Sequence, residues 1–430
     1  MIKKIYKQAH NAFFKSEFNS NVLTLMTGNI IAQAIPIAIT PILTRLYTPK
    51  DFGVLALFLA ITSIIVVIAS LRYELAIVQP HSDKDAAALV VLSATIATVI
   101  SLLFLVVIHV FNRKLQLWLD SQEVGPWLYL VPACVFIQGL YQPLNYWHTR
   151  KKLFKSIGIN KVNQAASTAA VQVSAGLGAI GSAGLILGNI LGQLIALLTL
   201  IKKSSGDYKK NFRKVKYAQI KLNAIHYQKL AKYSTFGSLA DNTSLQMPIL
   251  VISKFYDMMQ TGMFSLTFRV LSLPTSLLSN ALSQVLFQKV SKMHHDSPSK
   301  IKAVILKLFF ILLVIMIPFI GFIGLFGEDL FVIVFGESWR VAGEMAAILV
   351  VAVAIRFAVS PLSSVLALDH NVKIGVLWQF IYLITITTTL FYFSSFSIDS
   401  LLYAFVVHEV LLYLLYLLLI LKSFTYLKVN

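Results

Sequence analysis

The sequence predicts an all-α, polytopic membrane protein with about 12 transmembrane helices in two parallel six-helix lobes around a central cavity. Three observations carry that expectation: an apolar composition, a series of apolar runs of bilayer-spanning length, and a faint internal echo half a chain apart. Of 430 residues, 57% are hydrophobic and only 13% charged, and the mean hydropathy is +0.76. A lipid core offers backbone groups no water, so a spanning segment must satisfy its own hydrogen bonds as a helix of roughly 20 residues. The alternation of a membrane barrel is absent.

The first apolar run, 22–44, follows some twenty polar or mixed residues that resemble no cleavable signal, and it is expected to act as an uncleaved insertion signal. "RLYTPKDFG", residues 45–53, then turns the chain: Pro49 and Gly53 suit a tight turn, and Arg45, Lys50 and Asp51 can reach water at the interface. Further runs cover 53–78, 87–111, 126–148, 156–179, 182–201, 233–253, 261–288, 303–326, 341–367, 373–393 and 400–421. The sixth carries Gly184, Gly188 and Gly192, a spacing that lets backbones approach closely. The expected division is a six-helix lobe over 1–205, a basic cytoplasmic linker over 206–232, and a second lobe over 233–430. The linker reads either as solvated chain or as a basic helix on anionic lipid.

Alternating the connections sorts the charges. One side gathers Lys3, Lys4, Lys7 and Lys15, the Arg150 to Lys155 cluster, the linker's cations, Lys289, Lys292, Lys300 and Lys302, and finally Lys422 and Lys428. By the positive-inside rule that side is cytoplasmic, which puts both termini in the cytoplasm. The net charge of +19 is thus a matter of topology, and no nucleic-acid partner is expected. Cys134 is the lone cysteine, so no internal disulfide or multi-cysteine metal site is expected, and the nine histidines lack ligand spacing. With no phosphate-binding glycine loop, no Ser-His-Asp arrangement and no paired carboxylates in a sizeable loop, the chain is not expected to be an enzyme, and neither metal nor cofactor is expected.

A shift of 209 residues lays "KFYDMMQTG" over "RLYTPKDFG", pairing Gly28 with Gly237, Arg45 with Lys254, Tyr47 with Tyr256 and Gly53 with Gly262. Each stretch falls between the first and second helix of its half. An even number of helices per repeat makes the halves parallel, an arrangement found in transporters.

A charge deep in a spanning helix costs several kcal/mol unless it meets a partner or a watery cavity. Asp241, Arg269, Arg356 and Glu409, the last beside His408, all lie near the middle of predicted helices. Arg269 is the first choice as a phosphate ligand, because a guanidinium matches phosphate oxygens in pairs and stays charged; the competing reading is an ion pair with Asp241. Arg356 is a second candidate ligand, with pairing to Glu409 the favoured reading. Asp241, His408 and Glu409 could exchange H+ or Na+ and couple transport to a gradient. Arg72 is a third candidate for anion binding, and the 200° between residues two apart on a helix argues that Arg72 and Glu74 do not share a cavity.

Residues 28–80, with "RLYTPKDFG" and "SLRYELAIVQP" at this spacing, resemble the first two helices of the bacterial polysaccharide-biosynthesis flippases, the Wzx-type branch of the multidrug/oligosaccharidyl-lipid/polysaccharide exporter superfamily. Gln79 is a small departure from the resemblance, which implies an aliphatic residue there in many members. The resemblance implies two six-helix lobes around a cationic cavity lined by helices one, two, seven and eight, with Arg72, Asp241 and Arg269 near the path. It implies a flippase that moves undecaprenyl-pyrophosphate-linked oligosaccharide from the cytoplasmic to the outer leaflet of the bacterial inner membrane by alternating access, for O-antigen or capsule assembly. Membrane lipids, a glycan polymerase and chain-length proteins are the implied partners. Asn29, Gln33, Asn242 and Gln246 are candidate glycan contacts. A multidrug cation antiporter of the same superfamily is the alternative.

Overall fold

The computed structural model describes residues 17–119, 123–296, 301–367 and 372–423. These are overwhelmingly helical, with no strand among them. Twelve long helices follow in order: α1 (Glu17–Leu46), α2 (Pro49–Ile68), α3 (Asp83–Leu119), α4 (Val131–Arg150), α5 (Phe154–Leu177), α6 (Ser182–Lys203), α7 (Tyr217–Phe255), α8 (Met258–Asp296), α9 (Ile301–Phe335), α10 (Arg340–Val359), α11 (Val372–Phe393) and α12 (Ile398–Ser423). Each contains or overlaps one of the apolar runs. The terminal lysines Lys3, Lys4, Lys7, Lys15 and Lys428, and Lys300, lie outside the described residues.

Among the described residues eight helices are long and apolar enough to cross a membrane by length and composition; α4, α5, α7 and α8 are not among them. These four carry the polar stretches "NYWHTR", "NKVNQ", "ADNTSLQ" and "TFRV". A helix polar over part of its surface needs protein or water on that side, so these helices are the natural place for a site.

The chain divides into two compact units. The first holds α1, the second part of α2, α3 as far as Gln116, α4 to α6 and the start of α7 as far as Phe236. The second holds the first part of α2, Thr48–Ala60, the end of α3 from Leu117, and the described residues from Gly237 onward.

In the first unit α5 packs along α1, where a Cβ on Gly28 would lie 2.6 Å from the Gly158 Cα, and along α6. The α6 glycines serve that packing: a Cβ on Gly188 would meet Gln172 Cγ at 2.5 Å and one on Gly192 would meet Thr168 Oγ1 at 1.9 Å. Beyond Ile68 the expected second helix breaks. Leu71 and Arg72 take left-handed φ values of 47° and 60°, and a 3-10 turn covers Tyr73–Val78. The segment expected as a linker, either solvated chain or basic helix, is in part helix. From Tyr217 it is already α7, and it docks on the first unit through the Tyr73 hydroxyl to the Ala224 carbonyl at 3.1 Å and Asn223 Nδ2 to Asp85 Oδ1 at 3.3 Å. Tyr227 and Leu230 pack there with Trp147, Ile77 and Leu89.

The second unit contains the echo. Thr48 begins α2 as a capping residue, its hydroxyl accepting from the Asp51 N–H at 3.2 Å while Asp51 Oδ2 accepts from the Thr48 N–H at 3.0 Å, with Pro49 in the first helical turn. Asp257, the residue paired with Thr48 by the shift, caps α8 by accepting from the Gln260 N–H at 2.6 Å. The paired glycines then face one another. A Cβ on Gly53 would lie 1.8 Å from the Met258 carbonyl oxygen, and one on Gly262 would lie 1.8 Å from that of Pro49. Pro49 and Met258 are themselves paired by the same shift, so the crossing of α2 and α8 obeys a local two-fold exchange.

The paired tyrosines, one in each unit, also play equivalent parts. Tyr47 donates to the Gln172 carbonyl at 2.6 Å against Gly184, and Tyr256 donates to the Phe396 carbonyl at 2.9 Å.

Candidate functional site

Arg269 lies eleven residues into α8, or about 17 Å along it at 1.5 Å per residue. Gly262 and its neighbours hold that part of α8, and Thr267, two residues before Arg269, bonds from its buried hydroxyl to the Ala342 carbonyl of α10 at 2.8 Å. Arg269 itself is exposed, among half-buried and buried neighbours on its face of α8. Among the described residues Arg269 makes no ion pair or hydrogen bond, so the expected alternative, pairing with Asp241, does not occur. Asp241 is likewise exposed, with Asn242 and Gln246 half-buried beside it on α7.

Arg356 is a different case. Its Nε bonds to the buried carboxylate of Glu409, and its Nη2 donates to the Tyr382 hydroxyl at 2.6 Å. Tyr382 in turn donates to the other oxygen of Glu409. The guanidinium sits 5.2 Å from the Phe268 ring centroid and 5.7 Å from that of Tyr413, an aromatic setting that suits a desolvated cation. His408 completes the cluster, its Nε2 3.0 Å from Thr385 Oγ1 and its Nδ1 3.7 Å from Glu409. The favoured reading of Arg356, pairing with Glu409, is the arrangement seen, and it engages both charges inside the unit. A charge deep in a helix needs a partner, and here each has found one.

The first unit contributes Arg72, 3.7 Å from Glu74. The expected 200° separation fails because the α-helix has ended, and the left-handed Arg72 swings its side chain back over the 3-10 turn. Ser70 also bonds to Glu74, so this carboxylate is held from both sides. Arg72 is partly exposed, while its buried Nε has no hydrogen-bond partner.

Two features escaped the sequence reading. Tyr382 is one of several aromatics in an apolar run, with nothing to mark it as a carboxylate's partner. Lys161, on α5, donates to Asn29 Oδ1 of α1 at 2.9 Å; it was legible only as one polar residue in the "NKVNQ" stretch. Asn29, expected as a glycan contact, thus has a cation to hold. Gln33 is half-buried on the same helix.

The family described as "Polysaccharide biosynthesis protein" matches residues 42–344. The chain belongs to this family. It is similar to the succinoglycan biosynthesis transport protein ExoT of Rhizobium meliloti (strain 1021), with 23% identity over 313 residues. That match covers 72% of this chain and 60% of ExoT, so the chain spans well under two thirds of that relative's length. In fold it resembles an inward-facing multidrug resistance transporter of the MATE family, in the MOP superfamily, with a TM-score of 0.69 at 14% identity over 94% of this chain and 95% of the other. The lipid II flippase MurJ in an inward closed conformation gives the same TM-score, 0.69, at 13% identity over 93% of this chain and 87% of MurJ. At such identities the likeness is one of fold alone; with its apolar helices of bilayer-spanning length the chain is a multi-pass membrane protein, helical throughout its described elements.

Proposed function

We propose that the protein is a flippase for undecaprenyl-pyrophosphate-linked oligosaccharide, carrying it from the cytoplasmic to the outer leaflet of the inner membrane by alternating access, with both termini in the cytoplasm. The observation that carries this reading is the guanidinium of Arg269, exposed and without an ion pair or hydrogen bond among the described residues. A fixed charge in lipid costs several kcal/mol, so such a group in a membrane protein calls for water or an anion beside it. A pyrophosphate offers paired oxygens that a guanidinium grips in two parallel bonds. Arg72 offers a second set of donors near the end of the first unit predicted to face the cytoplasm.

Membership of the polysaccharide biosynthesis family and the similarity to ExoT support a glycan as cargo. Asn242, Gln246 and Gln33 are amides suited to sugar hydroxyls. Asp241, the exposed carboxylate, is the candidate for H+ or Na+ coupling, since Glu409 and His408 are engaged with Arg356 and Thr385. A glycan polymerase and chain-length proteins are the expected downstream partners. An exposed guanidinium would repel the cations that a multidrug antiporter carries, and for that reason the flippase reading is preferred.

In cells, Arg269→Ala at normal protein level is expected to abolish surface glycan and to leave lipid-linked oligosaccharide inside. Arg269→Lys, which keeps the charge and loses the fork, should retain part of the export. Normal surface glycan in Arg269→Ala would remove the central residue from the mechanism.

A further inference from the structure

We propose that Lys161, steadied by Asn29, is an anchor for a phosphate oxyanion of the carried lipid, additional to Arg269; the inference rests on the flippase reading above. Lys161 lies seven residues into α5, about 11 Å from its start. It is half-buried, on one of the four helices too polar to face lipid all round. The near-contact of Gly28 with Gly158 brings the two backbones together and sets Asn29 Oδ1 2.9 Å from the ammonium. That amide is neutral. Among the described residues Lys161 contacts no carboxylate, in contrast to Arg356, Arg72 and Arg150, each of which has one.

An ammonium carries three donors, and Asn29 occupies one. Two donors and a full charge are left over on a half-buried side chain, where an uncompensated charge is costly. Among the described residues Asn29 is the one hydrogen-bond partner of the ammonium. A phosphate group supplies both the missing charge and the missing acceptors. Lysine suits an anion that arrives and departs, because its donors rotate about a compact point charge, while a guanidinium fork fixes one approach. The phosphate could belong to the carried pyrophosphate or to a bilayer headgroup reached by snorkelling. Retention by Asn29 favours the former, since a lysine held by a neighbouring helix is not extended toward the headgroups.

The test uses the full chain in phosphatidylcholine nanodiscs, with thermal unfolding followed against added undecaprenyl pyrophosphate. The wild type is expected to be stabilised. Lys161→Gln should bind at least tenfold more weakly, and Lys161→Arg should recover most of the affinity. Asn29→Asp, which hands Lys161 a resident carboxylate, should raise the unfolding temperature of the free protein and weaken binding; this variant decides the matter if Lys161→Gln fails to fold. A parallel arm replaces part of the phosphatidylcholine with phosphatidylglycerol. Equal affinity for undecaprenyl pyrophosphate in the wild type and in the folded Lys161 and Asn29 variants would overturn the proposal. So would a difference between variants that shows only toward phosphatidylglycerol. No response from the wild type would count against the flippase reading itself, a failure distinct from loss of the Lys161 effect.

Discussion

Glu409 is fully buried and held by Arg356 and Tyr382. Removing one partner of such a pair leaves a charge with no water and no counter-charge, a change that typically costs about 3 to 5 kcal/mol, whereas replacing both partners with apolar residues is often near neutral. Glu409→Gln is therefore expected to lower the unfolding temperature strongly, and Arg356→Met combined with Glu409→Leu to recover most of it with export intact. Export lost in a well-folded double variant would give the pair a role in transport. The pairing was legible in the sequence because two mid-span charges of opposite sign lay in one half. Its third member was not, since a tyrosine among phenylalanines and leucines looks like any core residue. Lys161 shows the converse limit: its charge is plain in "NKVNQ", but only the close approach at Gly28 and Gly158 reveals that its partner is a neutral amide.

Among the elements, the crossing of α2 and α8 is the most constrained. Gly53→Ala or Gly262→Ala would place a methyl 1.8 Å from a carbonyl oxygen of the facing helix, so either is expected to reduce the yield of folded protein or force the helices apart. Gly321→Ala on α9, with nothing within 4 Å, is the matched control and should be silent or slightly stabilising. Size-exclusion profiles and unfolding temperatures in detergent would compare the three. The end of α2 yields another expectation. Leu71 pays a left-handed penalty of roughly 1 to 2 kcal/mol at a φ of 47°, which glycine would not incur, so Leu71→Gly should raise stability and preserve export. "SLRYELAIV" contains neither glycine nor proline, and this is why a continuous helix was expected there. The start of α7 was hidden for a different reason: its cationic sequence resembles a loop by hydropathy, yet it folds as helix by docking on the first unit. The glycine echo, in contrast, was readable, because a repeat preserves the residues on which its crossing depends.

For the whole molecule, apolar runs predicted where the helices lie, and the breaks in apolarity in α4, α5, α7 and α8 mark helices that need protein or water along one side. The predicted topology follows from charge alone. Cysteine substitutions at Lys209 and Lys50 in a Cys134→Ser background should label from opposite faces of the membrane, with Lys209 inside; labelling of both from outside would overturn the orientation. The central claim concerns cargo and the residue that grips it. Its most direct test is purified protein in liposomes loaded with undecaprenyl-pyrophosphate-linked oligosaccharide, with leaflet transfer read from the outside by a glycan-modifying enzyme. The wild type should move the glycolipid across, and Arg269→Ala, equally folded and equally incorporated, should not; transfer by Arg269→Ala at the wild-type rate would contradict the account.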